Sequence, residues 1–249
     1  PQKIAVAGAT GRVGRHIVDV LTERGHEVVP ISRSHGVDVI TGEGLADALT
    51  GVDRIVDAAT GPSPEEAPAT AFFTTATRNL HEAGERAGAR QMIVLSIIGT
   101  DRFTGGYGAA KIEHERAAQA GPLPVRVLRA AQFHEFVPQL VEWGTQGEVS
   151  YVTDMRTQSV AARAVAEAVA DLVAAPATGG GPIVEVAGPR EGSLVDMATL
   201  FAARRGLGVK IEGVRDPDDP DLEVYVGGGL LPGPDAILAG PTFEEWLDA

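Results

Sequence analysis

The apolar run Ile4-Ala5-Val6-Ala7 passes straight into Gly8-Ala9-Thr10-Gly11-Arg12-Val13-Gly14. Val13, Ile17, Val20 and Leu21 then recur at helical spacing. A strand that turns through three spaced glycines into an amphipathic helix has few uses. Glycine lets the chain leave the strand sharply and lets backbone approach a bound anion. The last glycine lets helix and strand pack closely, and the helix N-terminus offers free N–H groups. The pattern predicts a cradle for the pyrophosphate of a dinucleotide, built from Gly8, Thr10, Gly11, Arg12, Val13 and Gly14.

The chain keeps this strand–helix rhythm. Strands are predicted at residues 4–7, 27–31, 37–40, 54–58, 91–95 and 125–129. Helical patterns lie between them, at about 12–24, 45–49, 69–87 and 107–120. Most strands are nearly continuous apolar runs, as expected for parallel strands covered on both faces. The predicted fold is therefore α/β, a Rossmann-type doubly wound parallel sheet. After residue 130 the rhythm loosens. Helices are expected near 133–143, 161–174 and 194–205, with a strand at 183–186 behind a break at Gly179-Gly180-Gly181-Pro182. Asp216-Pro217-Asp218-Asp219-Pro220-Asp221 reads as a solvated loop. All 249 residues read as one domain: 1–130 hold the cofactor, and the smaller region 131–249 covers the site and selects the substrate.

Composition narrows the function. A net charge of −13 disfavours nucleic acid and anionic membrane surfaces. With no cysteine, disulfides, thiolate metal sites and thiol catalysis are excluded. The six histidines show no metal-ligand spacing, so no metal is expected. His16 and His114 are expected on solvated helix faces, and Glu113 and Glu115 as surface charges. No uncharged apolar run approaches the roughly 18 residues of a membrane span. No basic leader region precedes the first strand, so a cytoplasmic protein is expected.

The second strand ends Ile31-Ser32-Arg33-Ser34, without the acidic residue that binds the ribose hydroxyls of NAD. Arg33 is suited to pair with a 2′-phosphate, Ser32 or Ser34 to donate a hydrogen bond, and Arg12 to add a second positive group. NADP(H) is the expected cofactor. Further on, Met92-Ile93-Val94-Leu95 ends at Ser96, and the glycine-rich segment 99–106 leads to Tyr107, with Lys111 four residues later on the same helix face. Ligands of a doubly wound sheet sit at the carboxyl ends of its strands. Ser96 would orient a substrate oxygen there, and Tyr107 would donate a proton to it. Lys111 would hold the cofactor ribose and favour the phenolate in the reverse direction. His134, after the sixth strand, either reaches substrate or is a partly buried helix histidine.

These residues resemble the short-chain dehydrogenase/reductase superfamily, and more closely its atypical NmrA-like branch of NAD(P)-binding proteins. The likeness rests on Gly8-Ala9-Thr10-Gly11-x-x-Gly14, Gly51-Val52-Asp53, Leu95-Ser96-Ile97-Ile98-Gly99, Tyr107-x-x-x-Lys111, Arg129-Ala130-Ala131-Gln132-Phe133 and Glu185-Val186-Ala187-Gly188-Pro189. The resemblance implies a Ser96–Tyr107–Lys111 site, with Ala58-Ala59-Thr60 beside the cofactor and Gln132, Phe133 and His134 bordering nicotinamide and substrate. The chain departs from the superfamily in three places. The usual asparagine of the tetrad has no counterpart, Asn79 being expected as a structural helix residue. Gly42-Glu43-Gly44 stands where an Asp-Leu pair commonly meets adenine, and Arg163-Ala164-Val165 replaces an acidic motif. The resemblance further implies a monomer or weak homodimer. The expected function is NADPH-dependent reduction of a carbonyl or quinone in a small, fairly apolar molecule. The alternatives are an NADP(H)-binding redox sensor and a non-redox lyase or isomerase.

Overall fold

A computed structural model describes residues 1–178 and 181–249; Gly179 and Gly180, half of the predicted chain break, lie outside the described residues. The first half runs β1 (Lys3–Ala7), α1 (Gly14–Glu23), β2 (Glu27–Ile31), α2 (Leu45–Ala48), β3 (Arg54–Asp57), α3 (Glu66–Ala87), β4 (Gln91–Ile97), α4 (Gly106–Ala120) and β5 (Val125–Ala130). There follow α5 (Phe136–Gly144), β6 (Thr145–Gln146), β7 (Val149–Thr153), β8 (Arg156–Thr157), α6 (Ala162–Ala174), β9 (Val184–Ala187), β10 (Gly192–Ser193), α7 (Leu194–Arg205), β11 (Lys210–Val214), α8 (Leu222–Val226), β12 (Ile237–Leu238) and α9 (Phe243–Leu247).

Among the described residues the central sheet has seven strands in the order β12-β9-β5-β4-β3-β1-β2. All of its pairings are parallel. Side-chain alternation divides the core. Ile4 and Val6 face one side, packed with Ile17 and Leu21 of α1 and Val165 and Val169 of α6. Ala5 and Ala7 face the other, with Leu45, Leu80 and Met92. Arg163, part of the departure at 163–165, reaches from α6 to α1 and pairs both guanidinium ends with the Glu23 carboxylate, at 3.0 and 2.5 Å. The strand order reverses between β1 and β3, which opens a crevice at their carboxyl ends.

The predicted third strand, 37–40, is a loop. Asp38 Oδ1 accepts the Ile40 and Thr41 N–H groups, and the Asp38 N–H donates to the Glu43 carbonyl. These local bonds compete with ladder pairing. Asn79 of α3, expected as a structural residue, donates to the Val39 and Ile40 carbonyls and pins the loop to the domain. β2 is thus the edge strand, where Pro30 costs no ladder bond to a further strand.

A second, smaller core gathers Val137 and Val141 of α5, Val152 of β7, Leu194 and Met197 of α7, and Phe243 and Leu247 of α9. β11, β7 and β6 form a separate small sheet beside it. Among the described residues, no helix is long and apolar enough to cross a membrane.

Candidate active site

The glycine turn leads from β1 into α1 at the crevice. Gly8 has φ +76°, and a Cβ there would press into the Ala58 carbonyl. A methyl group at Gly14 would overlap the Gly8 carbonyl oxygen. The turn therefore leaves its backbone bare toward a cleft of about 700 Å³. Gly8, Thr10 and Gly11 line it, with Ser32, Arg33 and Ser34 from the end of β2 and Ala58, Ala59 and Thr60 from the end of β3. Val13 turns its side chain into the core. Asp38, Val39 and Ile40 complete the wall near β2, opposite Phe72 of α3, while Gly42-Glu43-Gly44 lies outside the lining.

Ser32 Oγ lies 2.8 Å from Ser34 Oγ and 2.6 Å from His35 Nδ1, a small hydroxyl cluster next to Arg33. Arg12, expected as a second cation for the same phosphate, is turned elsewhere. Its guanidinium lies 4.3 Å from the Phe136 ring centroid and donates to Gln139 of α5. A planar, weakly hydrated cation gains by stacking on an aromatic face.

Ser96 and Lys111 meet at the carboxyl end of β4, and Tyr107 joins them through the Phe73 ring. Ser96 is 3 % exposed, and its Oγ has no hydrogen-bond partner among the described residues. Lys111 Nζ donates to the carbonyl of the adjacent Leu95 at 2.9 Å. Tyr107 stands one helical turn before Lys111 on α4. A clamp from elsewhere in the chain fixes the approach to that helix. The buried Asp221 carboxylate accepts from the Thr104 and Gly105 N–H groups and the Thr104 hydroxyl, and Glu66 accepts from the Gly106 N–H. Thr100 donates to the Gly108 carbonyl.

Other members of the cluster were not read from the sequence. Phe73 of α3 packs edge-on against Tyr107, and Lys111 Nζ lies 4.4 Å from its centroid. Flat against the same ring, at 4.5 Å between centroids, is His114. His114 is 1 % exposed and not on a solvated face. Its Nδ1 lies 3.0 Å from Lys111 Nζ, and its Nε2 lies 2.9 Å from Asp57 Oδ2 at the end of β3. Glu115 is also buried, contrary to expectation, and accepts from Arg129 Nε and Nη2 at 2.8 and 2.7 Å; Glu113 is at the surface as expected. The spacing 107, 111, 114, 118 along α4 is a helix face. It escapes an apolar-stripe search because ionic groups occupy much of it.

Electrostatics follow burial. Burial pushes the Tyr107 phenol up to about 12, so it carries its proton at neutral pH; the ammonium of Lys111 does not draw it down as anticipated. Burial pushes Lys111 down to about 8, against the opposing charges of Asp57 and Glu115. Burial and the Lys111 charge hold His114 below the usual imidazole range, against its bond to Asp57. Asp57 is lowered although burial opposes it, because His114 donates to it and its other oxygen accepts from the Ala59 N–H. With the ring neutral, His114 meets Asp57 as a hydrogen-bond donor rather than as a cation. The lowered Lys111 value fixes a sign. Between about 8 and its ordinary 10.5, the unfolded chain binds the proton that the folded chain has lost. The stability contribution of Lys111 therefore rises with pH across that window. The denaturant midpoint of wild type should climb relative to Lys111→Met from pH 8 to about 10; a constant difference would contradict this.

Gln132 and Phe133 line a small apolar cavity of about 80 Å³ with Phe136, Leu140, Met155 and Leu194. His134 is absent from that lining. It is 1 % exposed, donates from Nε2 to the Pro241 carbonyl and meets Ser159 Oγ through Nδ1, so both ring nitrogens are engaged within the second core.

Part of the chain is 28% identical, over 110 residues, to the photosystem II assembly factor Ycf39 of Synechocystis. That match spans 39% of this chain and 34% of the relative's length. The fold is shared with a short-chain dehydrogenase/reductase superfamily protein of Agrobacterium tumefaciens with bound NAD (18% identity, TM-score 0.69, covering 99% of this chain and 95% of that one). It is shared equally with dTDP-4-dehydrorhamnose reductase of Bacillus anthracis in complex with NADP (15% identity, TM-score 0.70, covering 100% and 98%). A family model described as NAD(P)H-binding matches residues 8–176, from the glycine turn to the end of α6. The chain belongs to that NAD(P)H-binding family.

Proposed function

We propose that the protein is an NADPH-dependent oxidoreductase that reduces a carbonyl or quinone group of a small, fairly apolar molecule, with Tyr107 as proton donor. The observation that carries this reading is the Ser96 hydroxyl. Among the described residues it is buried without a partner at the carboxyl end of β4, beside the carbonyl that anchors Lys111. A buried polar atom without a partner costs free energy unless a ligand satisfies it.

The cleft suits a dinucleotide. Gly8 and Gly14 keep side chains out of the turn, and the α1 N-terminus favours an anion. Ser32, Arg33 and Ser34 would hold a 2′-phosphate, and Val39, Ile40 and Phe72 offer an apolar wall for the base. The bound cofactor would supply a hydride. Lys111 uses two of its N–H groups on Leu95 and His114, which leaves one for the ribose. Ser96 orients the substrate oxygen, and Tyr107, protonated at neutral pH, gives it a proton. Gln132 and Phe133 border the substrate beside the apolar cavity.

On this reading NADPH binds at least about tenfold tighter than NADH, and Arg33→Ala removes most of that preference, since a charge-assisted bond contributes about 1.5–3 kcal/mol. Arg12→Ala leaves the ratio unchanged, because its guanidinium lies on Phe136. Calorimetry of both cofactors tests this, and equal affinities in wild type would overturn the NADP assignment. Affinity for NADPH should also weaken as pH rises through about 8, where Lys111 loses its charge.

A further inference from the structure

We propose that His114 is a positioning residue whose Nδ1 lone pair, fixed in place by Asp57, anchors the Lys111 ammonium at the carboxyl end of β4. The inference rests on the reading of Lys111 given above and deepens it.

The chemistry of each contact leaves one arrangement. The Asp57 carboxylate can only accept, so His114 Nε2, 2.9 Å away, carries the proton. A neutral ring protonated at Nε2 keeps its lone pair on Nδ1. Lys111 Nζ has donors only, and it meets that lone pair at 3.0 Å and the Leu95 carbonyl at 2.9 Å. A doubly protonated ring would turn an N–H toward the ammonium, so the pair requires His114 neutral while Lys111 is charged. Phe73 fixes the ring plane from α3, 9° from parallel. Asp57 is itself held by the Ala59 N–H, in the segment that lines the cleft. A continuous path thus runs from the cleft wall through Asp57 and His114 to Lys111 and the residue before Ser96.

The charged groups around Lys111 are few. Asp57 approaches from β3 and Glu115 from α4 itself, and both favour the ammonium. Glu115 is engaged by Arg129 of β5, which also meets Asp101 at 3.2 Å. From α3 come the Phe73 ring and, farther along, His81, whose Nε2 is committed to the Ala118 carbonyl. Asp57 and Glu115 therefore favour the charged amine, and the His114 lone pair holds it in place.

The test uses three variants of the full chain, each retaining part of the arrangement. Asp57→Asn can donate to Nε2, which moves the ring proton to Nδ1 and points it at Lys111. His114→Phe keeps the flat contact with Phe73 and loses the lone pair. His114→Gln restores an acceptor for Lys111 and a donor for Asp57. Nitrogen and carbon NMR of histidine- and lysine-labelled protein reads the tautomer and the Lys111 titration without turnover, and NADPH affinity is measured across the same pH range. Wild type should show the Nε2–H tautomer and Lys111 titrating near 8. In Asp57→Asn and His114→Phe the Lys111 midpoint should fall by about one pH unit or more, and NADPH affinity should be lost at correspondingly lower pH. His114→Gln should titrate like wild type. If one of the first two does not fold, the other answers the question. An unchanged Lys111 midpoint in whichever folds, or the Nδ1–H tautomer in wild type, overturns the proposal. A wild-type chain that binds NADPH and reduces nothing would overturn the reductase reading instead, with the titration still legible.

Discussion

Tyr107→Phe is expected to cut turnover about 10²–10⁴-fold and leave NADPH affinity nearly unchanged. The substitution removes one hydroxyl and keeps the ring that packs edge-on against Phe73. Because burial holds the phenol protonated up to about 12, the lost group is a proton donor, not a base, and the loss should not depend on pH between about 6 and 8. Single-turnover NADPH oxidation beside cofactor fluorescence separates the two effects. Wild-type rates in this variant would make Tyr107 a bystander and favour quinone reduction by direct hydride transfer, or a sensing role.

Arg129→Met is expected to cost about 3–5 kcal/mol of stability, because it strands the Glu115 carboxylate in the interior. Both partners of this pair are largely shielded from water, and the guanidinium meets the carboxylate with two parallel bonds. Arg129→Met combined with Glu115→Leu should be more stable than Arg129→Met alone, since the second change removes the uncompensated charge. Urea unfolding of the two single variants and the double variant measures the coupling. A loss in Arg129→Met below about 1 kcal/mol, as for an exposed pair, would contradict this account.

How legible the fold was depended on whether a residue's task leaves a periodic trace. The glycine turn is legible because Gly8 and Gly14 sit where any Cβ would strike backbone. The parallel strands are legible because both faces are covered. Residues 37–40 are as apolar as a strand, but Asp38 captures two N–H groups just downstream, a competition that hydropathy does not record. The same loop shapes the cleft: Asp38–Ile40 lines it and 42–44 does not.

The candidate site shows the same division. Ser96, Tyr107 and Lys111 stand out by residue type and spacing. The surrounding support does not, because it comes from three separate elements. His114 and Glu115 look like surface residues in a run of charged neighbours, and only the packing of α4 against Phe73, Asp57 and Arg129 reveals them as interior. Lys111 offers one sequence clue: His114 follows it by three residues on the same face. Arg12 and His134 show the opposite case. Their positions in the motifs suggest ligand contacts, but Phe136 and Gln139 take up one side chain, and Ser159 and Pro241 the other.

The most direct test of the account is hydride transfer itself. The protein is incubated with NADPH carrying deuterium at the transferable position of the nicotinamide and with a panel of apolar aldehydes, ketones and quinones, and the products are weighed by mass spectrometry. The account predicts deuterium in the alcohol formed from at least one carbonyl, or deuterated cofactor consumed one for one with hydroquinone formed from a quinone, with the yield lost in Tyr107→Phe for the carbonyl. Tight NADPH binding with no reduced product from any member of the panel would contradict it.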